Sequence, residues 1–166
     1  MNMSCPLVTL NDGTKMPIVG LGTFESPPGV VRDVVSYAID VGYRHFDCAD
    51  FYENEDEVGD ALRQAIESGK VKREELFVTS KVWPNWHGPG RPTVSAKRSL
   101  DRLGIGYIDL LLIHWPTPMA QVDDSFYPCD ASGEQCLFDE SIELHQVWKE
   151  FEEIKKKGKL ENKKCV

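Results

Sequence analysis

Four side chains that could carry out proton chemistry stand along this sequence: Asp47, Tyr52, Lys81 and His114. A tyrosine can donate a proton to a carbonyl oxygen, and a neighbouring lysine ammonium favours the phenolate left behind. Asp47 could hold that lysine by an ion pair, and His114 could orient or polarise the carbonyl as a hydrogen-bond donor. The alternative is that these are unrelated polar residues of an ordinary surface and core.

Hydrophobic periodicity predicts the elements that would position these side chains. An Asp-Gly turn predicts a hairpin over residues 8–17, and a rhythm of strand and helix follows it. The predicted strands cover residues 18–21, 43–47, 76–80 and 107–113, and the predicted helices cover residues 28–41, 53–68, 92–103 and 141–157. This spacing is typical of βαβ units and a parallel sheet.

The polar side chains fall at the ends of the predicted strands. Asp47, Lys81 and His114 each end one strand, and Tyr52 follows the first of them. All carboxyl ends of a parallel sheet lie on one side, so we expect the four side chains to converge. Four aromatic residues near the same ends predict an apolar pocket wall: Phe24, Trp83, Trp86 and Trp115. The long connector at residues 117–137 is typical of a substrate loop.

The pair Gly20 and Gly22 stands at the end of the first predicted strand. Two glycines could let a backbone approach a ligand, but the pattern is not the GxGxxG of a phosphate loop. On motif grounds alone, a tight strand end is the favoured explanation of the pair.

Composition limits the classes of function. The formal net charge of −8 argues against a general nucleic-acid-binding role, because phosphate binding requires a basic face. We expect no signal peptide and no membrane span, and hence a cytoplasmic protein with no membrane partner. The five cysteines contain no CxxC pair, which predicts reduced thiols. Cys129 and Cys136 could bridge or bind a metal, although their spacing is a weak metal signature.

Five segments of this sequence resemble the N-terminal half of an aldo-keto reductase. They are MPIVGLGTF at 16–24, GYRHFDCADFYENEDEVGDAL at 42–62, LFVTSKVW at 76–83, SLDRLGIGYIDLLLIHWP at 99–116, and the helix before GKL at 158–160. The resemblance implies an α/β fold of the (β/α)₈ TIM-barrel type. It also implies reduction of aldehydes or ketones to alcohols with NADPH as the cofactor.

The resemblance also implies roles for individual residues. Tyr52 would be the general acid, Lys81 and Asp47 its tuning pair, and His114 the group that orients the carbonyl. Cofactor-binding positions of the family match Gly22, Thr23 and Asp47. Substrate-binding positions match Phe24, Phe51, Trp83, His114 and Trp115, and no position implies a metal. Phe24 stands where many members have tryptophan, so the substrate preference differs at that point.

The sequence contains four βα units, whereas a full barrel has eight in about 250 residues. In the family, the second half carries further cofactor contacts, and residues 161–166 do not match the fifth strand that would begin it. We therefore expect residues 1–166 to be an incomplete, truncated aldo-keto reductase domain with an open barrel edge, which self-association could cover.

Two other functions remain open from the sequence. One is a catalytically inactive half-barrel that binds a partner or its full-length relative. The other is a metal-dependent hydrolase that uses Asp47, His87 and His114. The sequence contains neither the HxH nor the HExxH pattern of such enzymes, and Tyr52 and Lys81 would have no role in it.

Overall fold

An antiparallel hairpin opens the computed structural model, which describes residues 5–157 of the chain. Its strands are β1 (Leu7–Thr9) and β2 (Lys15–Pro17). The turn between them is held by Asp12, whose Oδ1 accepts a hydrogen bond from Thr14 N at 2.9 Å, and Gly13 adopts a positive φ of 86° there. The structure thus confirms the hairpin and its Asp-Gly turn.

Four parallel strands, each followed by a helix, make up the rest of the described chain. The strands are β3 (Leu21–Gly22), β4 (His45–Asp47), β5 (Phe77–Val82) and β6 (Leu110–Ile113), and they form one sheet in the order β3-β4-β5-β6. The helices are α1 (Val31–Asp40), α2 (Glu55–Glu67), α3 (Arg91–Leu103) and α4 (Leu144–Lys157). Short 3₁₀ turns lie at Asp50–Tyr52, Arg73–Glu75 and Pro84–Trp86.

The core lies between the sheet and the helices, as binary patterning requires. One cluster joins α1 and α2 to β4 and β5 through residues such as Val35, Phe46 and Leu62. A second cluster joins α3 and α4 to β5 and β6 through Leu111 and Phe151. Alternate residues of the strands point away from the helices, and Lys81 lies on that other face.

Several predicted strand boundaries are wrong, including the starts at 43 and 107, which lie at His45 and Leu110 in the structure. The strand predicted at 18–21 is reduced to Leu21–Gly22, because Ile18 N donates to Pro6 O instead of to the parallel sheet. The strand predicted to end at Ser80 continues to Val82, so that Lys81 lies inside β5. The GKL segment at 158–160 and the tail at 161–166, both used in the sequence analysis, fall outside the described residues.

The two outer strands, β3 and β6, each have one hydrogen-bonded neighbour among the described strands. Within residues 5–157, no helix has the length and apolar character needed to cross a membrane.

Candidate active site

A lysine ammonium lies at the centre of the polar cluster at the carboxyl ends of the strands. Lys81 Nζ lies 2.8 Å from Asp47 Oδ1 and donates to Tyr52 Oη and to Cys48 O, both at 2.9 Å. Three oxygens thus surround the three protons of the ammonium. The side chain of Lys81 is nearly buried, so its charge acts on the phenol with little screening by water.

Hydrogen bonds between the ends of β3 and β4 and the start of α2 fix the segment that carries Tyr52. Thr23 donates to Asp47 O through its backbone N and through Oγ1, both at 3.1 Å. The 3₁₀ turn Asp50–Tyr52 then presents the phenol. Asn54 precedes α2, where a capping side chain is expected, but its Nδ2 instead donates to Thr23 O at 2.8 Å. This buried hydrogen bond joins the end of β3 to the start of α2, two residues after Tyr52.

His114 follows β6 and presents its ring edge-on to Tyr52, with 5.6 Å between the ring centroids. Removal from water, the larger cause, and the nearby Lys81 ammonium together lower the pKa of His114 to about 4, against a smaller opposing effect of Asp47. His114 Nδ1 is buried and has no hydrogen-bond partner among the described residues. At neutral pH the ring is therefore uncharged and has one N–H to donate.

Aromatic rings surround the polar cluster. Phe51 stacks on Trp83 with 3.9 Å between centroids, and Trp83 lies 4.6 Å from Trp115. Phe24 lies 5.0 Å from Tyr52 and is half exposed. These rings form one apolar wall beside the phenol and the imidazole, as a carbonyl-binding pocket requires.

Trp86 does not belong to this wall, contrary to the sequence-based expectation. It is buried in the same core cluster as Trp83, but its ring lies under the Arg98 guanidinium, 4.8 Å away, whereas the ring of Trp83 stacks on Phe51. The 3₁₀ turn Pro84–Trp86 turns the side chain away from the strand ends.

Residues 18–163 match the family described as "Aldo/keto reductase family". The chain belongs to this family. It is 44% identical over 157 residues to human "Aldo-keto reductase family 1 member A1", which covers 94% of this chain and 47% of that protein. The protein of the same name from Gallus gallus is 41% identical over 159 residues, covering 95% of this chain and 48% of that protein. The chain thus spans about half the length of these relatives.

A solved structure, that of the aldose reductase from Schistosoma japonicum, is also similar. It superposes with a TM-score of 0.87 at 40% sequence identity, covering 92% of this chain and 50% of that one. The four βα units and the hairpin are therefore the N-terminal part of an aldose reductase-like (β/α)₈ barrel. This confirms the fold class predicted from the sequence.

The aldo/keto reductase chain also contains pocket residues that sequence reasoning missed. Phe126 O accepts a hydrogen bond from Trp83 Nε1 at 2.6 Å, and the Tyr127 ring lies edge-on to Phe51 at 5.5 Å. Both residues belong to the long connector after β6, which was predicted as a substrate loop. The length of the connector was visible in the sequence, but the contacts of its individual aromatic residues were not.

A buried ionic network below Tyr52 was also missed. Glu55 is fully buried, and its carboxylate accepts hydrogen bonds from Ser80 Oγ at 2.6 Å and from Arg102 Nη2 at 2.6 Å. Arg102 also pairs with Asp50, the first residue of the turn that carries Tyr52. In the sequence, Glu55 is one of three acids that suit a helix N-terminus, so nothing distinguished it from a solvated residue.

The metal-hydrolase alternative gains no support. Residues 5–157 contain no group of three or more His, Cys, Asp or Glu side chains that could hold a metal ion. His87 is buried, and burial lowers its pKa to about 4.

Proposed function

We propose that this chain carries the catalytic half of an NADPH-dependent oxidoreductase that reduces aldehydes or ketones to alcohols. The observation that carries the proposal is the position of Lys81 Nζ, 2.8 Å from a carboxylate and 2.9 Å from a phenol, with a neutral imidazole beside that phenol. Membership of the aldo/keto reductase family supports the same reaction class.

Tyr52 would act as the proton donor to the substrate. Its oxygen accepts a hydrogen bond from Lys81, which leaves its own proton free to point at a carbonyl oxygen. When that proton leaves, the ammonium stabilises the phenolate, and Asp47 keeps the ammonium in place. Proton transfer from a positioned group of this kind contributes about 10²- to 10⁴-fold to a rate.

His114 would orient the substrate. Since its ring is neutral at pH 7, it donates one hydrogen bond to the carbonyl oxygen and does not compete with Tyr52 as an acid. The aromatic wall of Phe24, Phe51, Trp83 and Trp115 would cover the apolar part of the carbonyl compound.

The residues predicted to hold NADPH fit a nucleotide. A Cβ built at Gly22 would meet no atom within 4 Å, so the space beside this backbone is open. Asp47 engages Lys81 through Oδ1 and its side chain is 39% exposed, which leaves carboxylate surface for hydroxyl donors. Gly22, Thr23 and Asp47 would thus form one side of the cofactor site. NADPH, when bound, supplies the hydride.

The second candidate is a catalytically inactive half-barrel that acts as a binding or regulatory partner. It is favoured by the outer strands β3 and β6, each of which has a single neighbour among the described strands. Such edges pair readily with other chains, so a second copy or a relative is the expected partner.

A cofactor titration separates the two candidates. We expect NADPH to quench the fluorescence of Trp83 and Trp115 saturably, and the chain to oxidise NADPH in the presence of an aldehyde. A chain that is folded by circular dichroism but shows no quenching would favour the inactive half-barrel.

The role of Tyr52 is tested by the substitution Tyr52→Phe. We expect turnover to fall by about 10²- to 10⁴-fold, because the proton donor is lost while the ring remains. NADPH affinity should not change. The matched control is Tyr37→Phe, on the exposed face of α1, which should keep full turnover. Retained turnover of Tyr52→Phe, in this chain or in a full-length relative, would contradict the assignment.

A further inference from the structure

Two thiols lie opposite each other in the connector between β6 and α4. Cys129 and Cys136 form an isolated antiparallel bridge, and both are reduced. The residues on either side of the pair are joined by two hydrogen bonds, from Asp130 N to Gln135 O at 2.9 Å and from Leu137 N to Pro128 O at 2.8 Å. The cysteines therefore occupy a non-hydrogen-bonded antiparallel pair.

This kind of pair brings side chains closer than any other position in an antiparallel ladder. Its Cα atoms are typically about 4.5 Å apart, and disulfides require a Cα separation of about 4.4–6.8 Å. The pKa of the Cys129 thiol is raised by partial removal from water and by the charge and hydrogen bonding of the Cys136 thiol. Side chains of directly opposed residues lie on the same face of an antiparallel ladder, so the two thiols are neighbours.

The turn between the cysteines is held without a covalent bond. Asp130 Oδ1 accepts hydrogen bonds from Ser132 Oγ at 2.6 Å and from the backbone N of Glu134 at 3.3 Å, and Gly133 adopts a positive φ of 76°. These contacts keep the two thiols in register while they are reduced. A disulfide formed here would need little movement of the backbone.

The thiol pair adjoins the aromatic wall of the candidate active site. Cys129 Sγ donates to Tyr127 O at 3.3 Å, and the Tyr127 ring lies 5.6 Å from Trp83. Covalent closure of the turn would therefore restrain the segment that carries Tyr127.

We propose that Cys129 and Cys136 form a redox modification site, oxidised reversibly to a disulfide by exchange with a low-molecular-weight disulfide of the glutathione type. Cys136 is exposed and Cys129 half-buried, so the Cys136 thiolate attacks first. One sulfur of the small disulfide bonds to Cys136, and the other leaves as a thiolate that takes up a proton. Deprotonated Cys129 then attacks the sulfur of Cys136 and releases the second small thiol. The protein loses two electrons and two protons, and the small disulfide gains them. The proposal does not depend on the reductase activity.

The test is equilibration of the chain in a series of reduced and oxidised glutathione ratios, in native buffer and in concentrated urea. After acid quenching and alkylation of free thiols, mass spectrometry of peptides identifies the linked cysteines. We expect a disulfide between Cys129 and Cys136. The equilibrium constant for its formation should be at least about tenfold larger in native buffer than in urea, which corresponds to a reduction potential about 30 mV lower. Equal constants in the two conditions, a disulfide to another cysteine, or glutathione adducts alone would overturn the proposal.

Single substitutions test the order of attack. Cys129→Ser should stop at a glutathione adduct on Cys136, because the resolving thiol is missing. Cys136→Ser should form its adduct more slowly, because the remaining thiol, Cys129, is half-buried. The control Cys5→Ser should form the disulfide as the unaltered chain does. Loss of the disulfide in the control, or an adduct on Cys129 of the unaltered chain, would contradict the assignment.

Discussion

Lys81 decides the chemistry of the candidate site because its ammonium contacts both Asp47 and Tyr52. It also lowers the pKa of His114, although burial is the larger cause. One side chain therefore contacts the proposed proton donor on one side and helps to keep the neighbouring imidazole uncharged on the other. The two polar groups that face the substrate pocket can then act as donors at the same pH.

The titration of His114 is the first prediction at the residue scale. We expect the pKa of its imidazole to be about 4 in the folded chain, well below its ordinary value of 6.5. The substitution Lys81→Met should raise this pKa, because a positive neighbour is removed and Asp47 is left unopposed. The value should stay below 6.5, since burial remains. NMR spectra of the imidazole carbons over pH provide the measurement, and His114→Gln identifies the signal.

The same shift has a consequence for stability. Since the unfolded chain takes up the His114 proton near pH 6.5 and the folded chain only near pH 4, the free energy of unfolding should fall as the pH falls between these values. The control for Lys81→Met is Lys97→Met, which removes a lysine from an exposed pair with Asp101 and should leave the pKa of His114 unchanged. A His114 titration near pH 6.5 in the unaltered chain would contradict the assigned environment.

At the scale of elements, Arg102 couples α3 to the turn that carries Tyr52. Its guanidinium pairs with Glu55 at the start of α2 and with Asp50 in the 3₁₀ turn. Both carboxylates are almost completely buried. The network therefore sets the position of the tyrosine-bearing turn relative to two helices.

We predict that Arg102→Met destabilises the fold by about 3–5 kcal/mol, because it leaves two buried carboxylates without their positive partner. Urea unfolding at neutral pH, followed by circular dichroism, measures the change in the free energy of unfolding. Lys97→Met on the same helix removes an exposed pair with Asp101 and should cost less than about 1 kcal/mol. Equal costs for the two variants would show that the buried network contributes no more than an exposed pair.

At the scale of the whole molecule, we expect the outer strands of the sheet to determine whether this chain associates with a second chain. Leu112 of β6 stands opposite Lys81 in the parallel register, so its side chain points to the barrel interior, where it is 37% exposed. The outer side of β6 also carries backbone groups without a strand partner among the described residues. Such an apolar edge favours pairing with a second chain.

We therefore predict that the isolated chain self-associates. Its mass in sedimentation equilibrium should rise with concentration, and Leu112→Lys should shift it towards monomer, because a charge on the edge opposes strand pairing. Tyr37→Lys is the matched control: it places the same charge on an exposed position of α1, outside the sheet, and should not change the mass profile. A monomer at every concentration would contradict the proposal.

The sequence by itself determined the alternation of strands and helices and the placement of four proton-active residues near strand ends. Periods of two and near four in the apolar residues are local properties, so the positions of β4 and α2 could be predicted within a few residues. The convergence of Asp47, Lys81 and His114 followed from the shared direction of parallel strands. The chemistry of a phenol suggested a proton-donor role for Tyr52, and the family resemblance implied the same role.

Tertiary structure alone decided what depended on contacts distant in the sequence. Asn54 reaches Thr23 instead of capping its own helix, and Arg102 lies 47 residues from Glu55. Trp86 and Trp83 are three residues apart and share a core cluster, yet the ring of Trp83 contacts Phe51 and His114 while that of Trp86 lies under Arg98. The spacing of Cys129 and Cys136 left a bridge or a metal site open, and only the antiparallel bridge places the two residues opposite each other. In each case the partner of the side chain depends on how the helices and strands pack together. Local sequence periodicity does not contain this information.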